Sequence, residues 1–234
     1  MCKYQKIFFI SGVLSGLAVK IEFTITTNEQ ASELLQDKVA LCLFVANTAL
    51  RKIPTKLAFS DKIKRFEFEI QAEIFLHFMR GARDALLQTI NDKLLGGRLS
   101  PDKVRLNDVL NVLRSNKSAG DTKSDKILSL LENCTQEPKY DNKMQKWVRD
   151  KSWLFEINAM RDQIAHRNIT GRALTAGVES MQFAKAEMIV YLKKENVNGI
   201  EIETTIKESN PYAYFNMCYH KFVTLKDQIM CILV

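Results

Sequence analysis

Residues 61–95 have the sequence DKIKRFEFEIQAEIFLHFMRGARDALLQTINDKLL, and this stretch decides the fold class. Gly96 and Gly97 follow it directly, and glycines at such a position commonly end a helix. The apolar residues recur close to the 3.6-residue period of an α-helix, at Ile63, Phe66, Ile70, Ile74, Phe78, Ala82, Ala85 and Ile90. The stretch therefore predicts one long helix with an apolar side.

Further helical patterns lie on both sides of this stretch. Asn28 begins a single predicted helix, NEQASELLQDKVALCLFVANTALRK, which Pro54 helps to end. Ser100 and Pro101 predict another helix start, with serine as the N-cap and proline at the first helical position. Shorter helices are predicted over residues 125–133 and from about Lys151 to His166, with polar loops over residues 115–124 and 135–143.

The two ends of the chain have β-rich patterns. Residues 7–27 are apolar with β-branched stretches, and a strand pair and a short helix both fit them. Asn198–Gly199 joins two β-rich runs, which predicts a β-hairpin over residues 185–207. Asn210–Pro211 then begins a final amphipathic helix over residues 210–233. We therefore predict a mostly α, up-and-down helical bundle with a C-terminal β-hairpin and final helix, in a single domain over residues 1–234.

Composition narrows the class of function. The formal charge is +7 and the pI about 9.1, an excess that suits a polyanionic partner. The five cysteines form no CxxC, and the three histidines are isolated, so neither a metal site nor a cofactor is predicted. No phosphate loop, dinucleotide fingerprint or nucleophile elbow occurs. Scattered cysteines indicate free, mostly buried thiols in a reducing compartment, the cytoplasm.

The apolar start of the chain leaves one alternative open. Lys3 and Lys6 precede the run IFFISGVLSGLAV, which Lys20 ends. The run is too short to span a bilayer as a helix, so no membrane association is predicted. Its layout nevertheless resembles a signal peptide, and a secreted helical protein is an alternative that rests on this feature alone.

The most informative polar stretch is RDQIAHRNITG, residues 161–171. Arg161 precedes His166 at the end of a predicted helix, and Arg167, Gly171 and Arg172 follow closely. Such spacing arises easily by chance, so one interpretation is an ordinary polar helix end in which His166 binds a backbone carbonyl. The other interpretation is a catalytic pair.

The segment NAMRDQIAHRNI, preceded by the helical FMRGARDALLQTIN, resembles the HEPN superfamily of helical nucleases over about residues 28–172. Arg161, Asp162 and His166 match the arginine, the polar neighbour and the histidine that mark the family, although the family more often has asparagine at the position of Asp162. The resemblance implies a bundle of HEPN type and a metal-independent endoribonuclease. It also implies a homodimer whose two motifs line one cleft, a toxin–antitoxin or antiphage role, and an antitoxin protein as partner.

The chemistry of the residues fits RNA cleavage by 2′-OH attack. Histidine can move protons near neutral pH, and arginine can hold a phosphate through two hydrogen bonds. The candidate catalytic residues are thus Arg161, His166 and Asp162, and the candidate RNA-binding residues are Arg167, Arg172 and Asn168. Asp84 and Arg80 on the long helix could support Arg161, although a solvated charged face explains them more simply. His77, on the same helix, is predicted to be a core or boundary residue.

Helix geometry complicates the catalytic interpretation. Five residues rotate by about 140° around an ideal α-helix, so Arg161 and His166 would not share one side. Either the helix unwinds at His166, or both residues face a cleft end-on. The main alternative function is a non-catalytic helical module that dimerises and binds RNA, a nucleotide or a protein partner.

Overall fold

The computed structural model describes the backbone of residues 6–14, 17–25, 27–53, 62–167, 174–176, 186–197, 200–208 and 210–234. It describes the side chains of residues 27–53, 63, 66–161 and 210–234. Within these ranges the chain is mostly helical, which confirms the predicted class. None of the helices in the same ranges has both the length and the apolar character that crossing a membrane requires.

The elements follow one another in an order that places strands near both ends. The helices are α1 Asn28–Gln36, α2 Lys38–Lys52, α3 Lys62–Lys93, α4 Leu106–Ser118, α5 Thr122–Glu132, α6 Trp153–Arg167 and α7 Pro211–Leu233. The strands are β1 Lys6–Leu14, β2 Leu17–Ile25, β3 Lys139–Asp141, β4 Lys146–Val148, β5 Leu174–Ala176, β6 Ala186–Val197 and β7 Ile200–Glu208.

The strands pair as antiparallel neighbours. β1 pairs with β2 from Lys6–Ile25 to Leu14–Leu17, so the N-terminal segment is a strand pair rather than a short helix. β6 pairs with β7 and ends at Val197–Ile200, which confirms the predicted hairpin; residues 198–199 of its turn lie outside the described residues. β5 extends this sheet beside β6. β3 pairs with β4, so the predicted loop over residues 135–143 contains a strand, β3.

The long helix α3 is central to the packing. α2, α4, α6 and α7 all contact it, and the ring of its fully buried Phe75 lies 4.9 Å from the ring of Phe215 on α7, in a tilted arrangement. Its apolar side is buried from Phe68 to Ile90, close to the predicted period. The prediction is wrong for the first turn, where Ile63 and Phe66 are exposed.

Asp37 divides the predicted N-terminal helix into two. Its carboxylate accepts hydrogen bonds from the backbone N–H groups of Val39 and Ala40 at 2.8 and 3.0 Å. Its backbone is extended rather than helical, so α1 ends and α2 begins at this residue. The prediction of one continuous helix was wrong because the apolar pattern does not reveal that an aspartate within it acts as an N-cap.

The helix predicted from Ser100 and Pro101 begins later in the structure. Pro101–Lys103 form a 3₁₀ turn, the hydroxyl of Ser100 makes no capping bond, and α4 starts only at Leu106. The predicted polar loop over residues 115–124 is also shorter, because α4 continues to Ser118 and Asp121 caps α5 by accepting from the N–H of Lys123 at 3.1 Å.

The turn after α3 depends on glycine and on one buried amide. Gly96 and Gly97 have φ angles of +63° and +70°, which confirms the glycine pair as the helix stop. The side chain of Asn91 is buried, donates to the carbonyl of Leu99 at 2.9 Å and accepts from the Leu99 N–H at 3.0 Å. These two bonds hold the segment after α3 against the helix.

We expect Asn91→Ala to lower the free energy of unfolding by about 1–3 kcal/mol, because it removes a buried amide and leaves two partly buried backbone groups of Leu99 without this partner. Denaturant unfolding measures this change. The matched control is Asn107→Ala, which alters an exposed asparagine on α4 and should change stability by less than about 0.5 kcal/mol. Equal effects of the two substitutions would contradict the role given to Asn91.

Candidate active site

The helix that carries the candidate motif is fixed by apolar contacts and packs on α3. Trp153, Leu154, Ile157 and Met160 are buried, and the Trp153 ring meets Phe222 of α7 edge-on at 6.3 Å. Arg161, the next residue after this buried series, is only partly buried. Arg161 therefore lies at the border between the buried part of α6 and the protein surface.

A buried ionic cluster also fixes α6. Glu156 is 1% exposed, and its two carboxylate oxygens accept from Arg149 at 2.9 and 2.6 Å. The hydroxyl of Tyr214, on α7, donates to the same carboxylate at 2.7 Å. Burial, the Cys218 thiol and the Glu156 carboxylate raise the pKa of Tyr214, so its hydroxyl stays protonated and donates. This cluster ties α6 to α7 and to the segment before α6.

A charged stripe lies on α3. Arg80 and Asp84 are one turn apart and form an ion pair at 3.7 Å, and Arg83 donates from Nε to the Asp84 carboxylate at 2.9 Å. Within the described part of the chain, Asp84 has its ion pairs with these two arginines of its own helix and none with Arg161. Arg80 therefore belongs to the charged stripe. Asp84 does not support Arg161 by a direct ion pair, although the sequence had suggested that it could.

His77 extends this stripe by one turn towards the start of α3. The residue is exposed, so of the two predicted positions, core or boundary, the structure excludes the core. Partial burial lowers the pKa of the His77 imidazole below 6.5. The guanidiniums of Arg161 and Arg80 lower this pKa further, whereas the Glu73 carboxylate raises it. The helix that carries His77, α3, packs against α6, which carries Arg161.

The other predicted site residues follow Arg161 in the chain. Asp162, His166 and Arg167 belong to α6, and their side chains lie outside the described residues. Asn168 and Arg172 lie outside them altogether. Because α6 continues to Arg167, the helix does not unwind at His166, and of the two alternatives only the end-on approach to a cleft is left. The backbone positions of Arg161 and His166 are thus about 140° apart around the helix axis.

The buried cysteines of the described part of the chain are poor nucleophiles. Cys42, Cys134 and Cys218 are free and buried, as the scattered cysteine pattern predicts, whereas Cys231 is exposed. Burial raises the pKa of Cys134 and of Cys218 to about 12, so both thiols stay protonated at neutral pH. Among the residues with described side chains, no group of three or more histidine, cysteine, aspartate or glutamate residues could hold a metal ion.

The sequence pattern around Arg161 does not include His77, because the two residues are far apart in the sequence. One signal was present: His77, Arg80 and Asp84 have the spacing of residues on one side of a helix. Among the described side chains, Arg80 and Arg83 pair with Asp84, on a helix that packs against α6.

Comparison with known proteins finds no relative of this chain. No protein-family model, curated protein or solved structure matches this chain significantly.

Proposed function

We propose that this protein is a metal-independent endoribonuclease of HEPN type that binds the phosphate backbone of RNA beside Arg161. The observation that carries the proposal is that Arg161 lies partly exposed just after the buried residues of α6, on a helix that packs against α3. An arginine and a histidine on one helix suit a phosphodiester, which needs both charge neutralisation and proton transfer for cleavage. The net charge of +7 supports an RNA partner.

In the proposed reaction, the 2′-oxygen of RNA attacks the adjacent phosphorus and the bond from phosphorus to the 5′-oxygen breaks. Arg161 neutralises the negative charge that develops on the phosphate oxygens, through its fixed pair of donors. His166, near the C-terminal end of α6, gives a proton to the departing 5′-oxygen, because the negative end of the helix dipole favours a protonated imidazole. Asp162 takes the place of the polar neighbour of the motif, while Arg167, Asn168 and Arg172 bind the flanking phosphates.

The arrangement also supports a homodimer as the active form. Arg161 and His166 are about 140° apart on α6, so a single helix does not direct both residues at one phosphate from the same side. A two-fold pair of α6 helices would let the arginine of one copy and the histidine of the other meet in one cleft. The toxin–antitoxin or antiphage role and the antitoxin partner stay predictions from the HEPN resemblance.

We expect the protein to cleave single-stranded RNA in excess EDTA at the same rate as in magnesium, because neither Arg161 nor a histidine needs a metal to act. Gel analysis should show products with 2′,3′-cyclic phosphate and 5′-hydroxyl ends. Cleavage that EDTA abolishes and magnesium or manganese restores would contradict the proposed chemistry. RNA that binds without being cleaved would favour the alternative of a non-catalytic RNA-binding module.

A further inference from the structure

The hairpin of β3 and β4 carries an aromatic pair that the proposed cleavage site does not use. Tyr140 and Trp147 lie opposite each other in the register of the two strands, so both side chains are on the same face of the hairpin. Their rings meet edge-on, with the centroids 5.5 Å apart. Trp147 is partly buried against the core, whereas Tyr140 is 46% exposed. The core thus supports Trp147, and Trp147 holds the ring of Tyr140 at the protein surface.

The same hairpin is rich in lysines without acidic partners. Residues 139–151 contain five basic and two acidic residues. Lys139, Lys143 and Lys146 are exposed, and none of their ammonium groups forms an ion pair with a side chain that the structure describes. The Asp141 carboxylate accepts instead from two backbone N–H groups of the turn, at 2.8 and 3.1 Å. The hairpin therefore has uncompensated positive charge beside its aromatic pair.

Hydrogen bonds fix the base of the hairpin against the start of α6. The Gln136 N–H donates to the carbonyl of Lys151 at 2.9 Å, and the Leu154 N–H donates to the carbonyl of Cys134 at 3.0 Å. Arg149, directly after β4, belongs to the buried ionic cluster that fixes α6. A partner that binds the hairpin therefore meets a surface that is already ordered, which lowers the entropic cost of binding.

An exposed aromatic ring beside unpaired cations suits single-stranded nucleic acid. Every base has a flat face that stacks on an aromatic ring, and lysines bind the phosphates between successive bases. A duplex keeps its bases stacked on one another, so it would offer this surface mainly phosphates. An acidic protein segment would pair with the lysines but has no equivalent of the regularly repeated flat bases.

We infer that the β3–β4 hairpin binds single-stranded nucleic acid, with a base stacked on Tyr140 and the adjoining phosphates bound by lysines. Lys143 belongs to the turn, and Lys139 and Lys146 belong to the opposite face of a ribbon only two strands wide. Their flexible four-carbon stems would extend around its edges to the phosphates. The inference goes beyond the proposed cleavage site, because Arg161 lies about 12 Å along α6 from the end that the hairpin joins.

The test measures how a fluorescein-labelled deoxythymidine strand of about 15 nucleotides binds the full-length protein, by fluorescence anisotropy. The strand has no 2′-hydroxyl groups, so the proposed cleavage does not affect the measurement. We expect Tyr140→Ala to weaken binding by about 5-fold or more, and Tyr140→Phe, which keeps the ring, to bind like the native protein. Combining Lys143→Gln with Lys146→Gln should reduce the slope of log Kd against log salt by about 1.4, since each phosphate contact contributes about 0.7.

The matched control combines Lys123→Gln with Lys126→Gln, two exposed lysines of α5 that also form no ion pair with a described side chain. It should keep the native Kd and salt slope. The inference is overturned if the native protein does not bind the strand, or binds a duplex of the same sequence equally well. It is also overturned if Tyr140→Ala binds as tightly as the native protein, and sedimentation then shows whether the hairpin joins two copies instead. A native protein that binds this strand through Tyr140 but cuts no RNA would support the hairpin site and overturn the ribonuclease alone.

Discussion

Replacing Arg161 by alanine is expected to lower the rate of RNA cleavage by about 10²-fold or more while the protein stays folded. Arg161 is the candidate catalytic residue whose side chain the structure describes, partly buried on α6, and its guanidinium would neutralise charge that exists only in the transition state. The loss should therefore appear in kcat rather than in KM alone. Single-turnover cleavage measures it, and circular dichroism checks the fold.

Two further variants sharpen this prediction. Arg161→Lys keeps the charge but not the planar pair of donors, so we expect it to recover only a small part of the rate. Arg114→Ala is the matched control, because it removes an exposed arginine of α4 that pairs with Glu132 at 2.8 Å. It should leave the rate unchanged. If Arg161→Ala and Arg114→Ala have equal rates, Arg161 has no role in catalysis.

The largest expected effect on stability comes from Arg149→Met, which should lower the free energy of unfolding by about 3–5 kcal/mol. Glu156 is 1% exposed, and Arg149 donates to both of its oxygens. Without the guanidinium, the carboxylate would stay buried with the Tyr214 hydroxyl as its described side-chain donor. Because Glu156 belongs to α6, the loss should also loosen the helix that carries Arg161. Urea unfolding, monitored by circular dichroism, measures the change.

An exposed pair of the same residue types provides the control for that effect. Arg114 donates to Glu132 from both Nε and Nη2, at 3.1 and 2.8 Å, but both side chains are about half exposed. Arg114→Met should therefore cost no more than about 1 kcal/mol, since water replaces the lost contact. Similar losses in Arg149→Met and Arg114→Met would show that the buried cluster does not fix α6.

The sequence predicted those parts of the fold that depend on local patterns. The period of α3, the glycine pair after it and the cap of α7, where Asn210 accepts from the Ala213 N–H at 3.0 Å, are all short-range features. The hairpin of β6 and β7 follows from its turn residues. The break at Asp37 was missed because an N-cap and a solvent-exposed helical aspartate look alike in one sequence.

The candidate site was harder to predict because it depends on contacts between distant segments. The carboxylate of Glu156 meets the Tyr214 hydroxyl across 58 residues of sequence, and neither residue belongs to a recognisable motif. Arg161 was predicted from a short local spacing, whereas the packing of α6 on α3 joins segments that are far apart in the sequence.

The most direct test of the proposed ribonuclease is the cleavage of one RNA oligonucleotide with a single 2′-deoxy nucleotide at the mapped cut site. We predict that, in EDTA, the native protein cuts the all-ribo strand and leaves the substituted linkage intact, because the 2′-oxygen is the nucleophile. Cleavage at the substituted linkage would show that water attacks instead. That result, or an all-ribo strand left uncut, would contradict a site in which Arg161 and histidine drive 2′-OH attack.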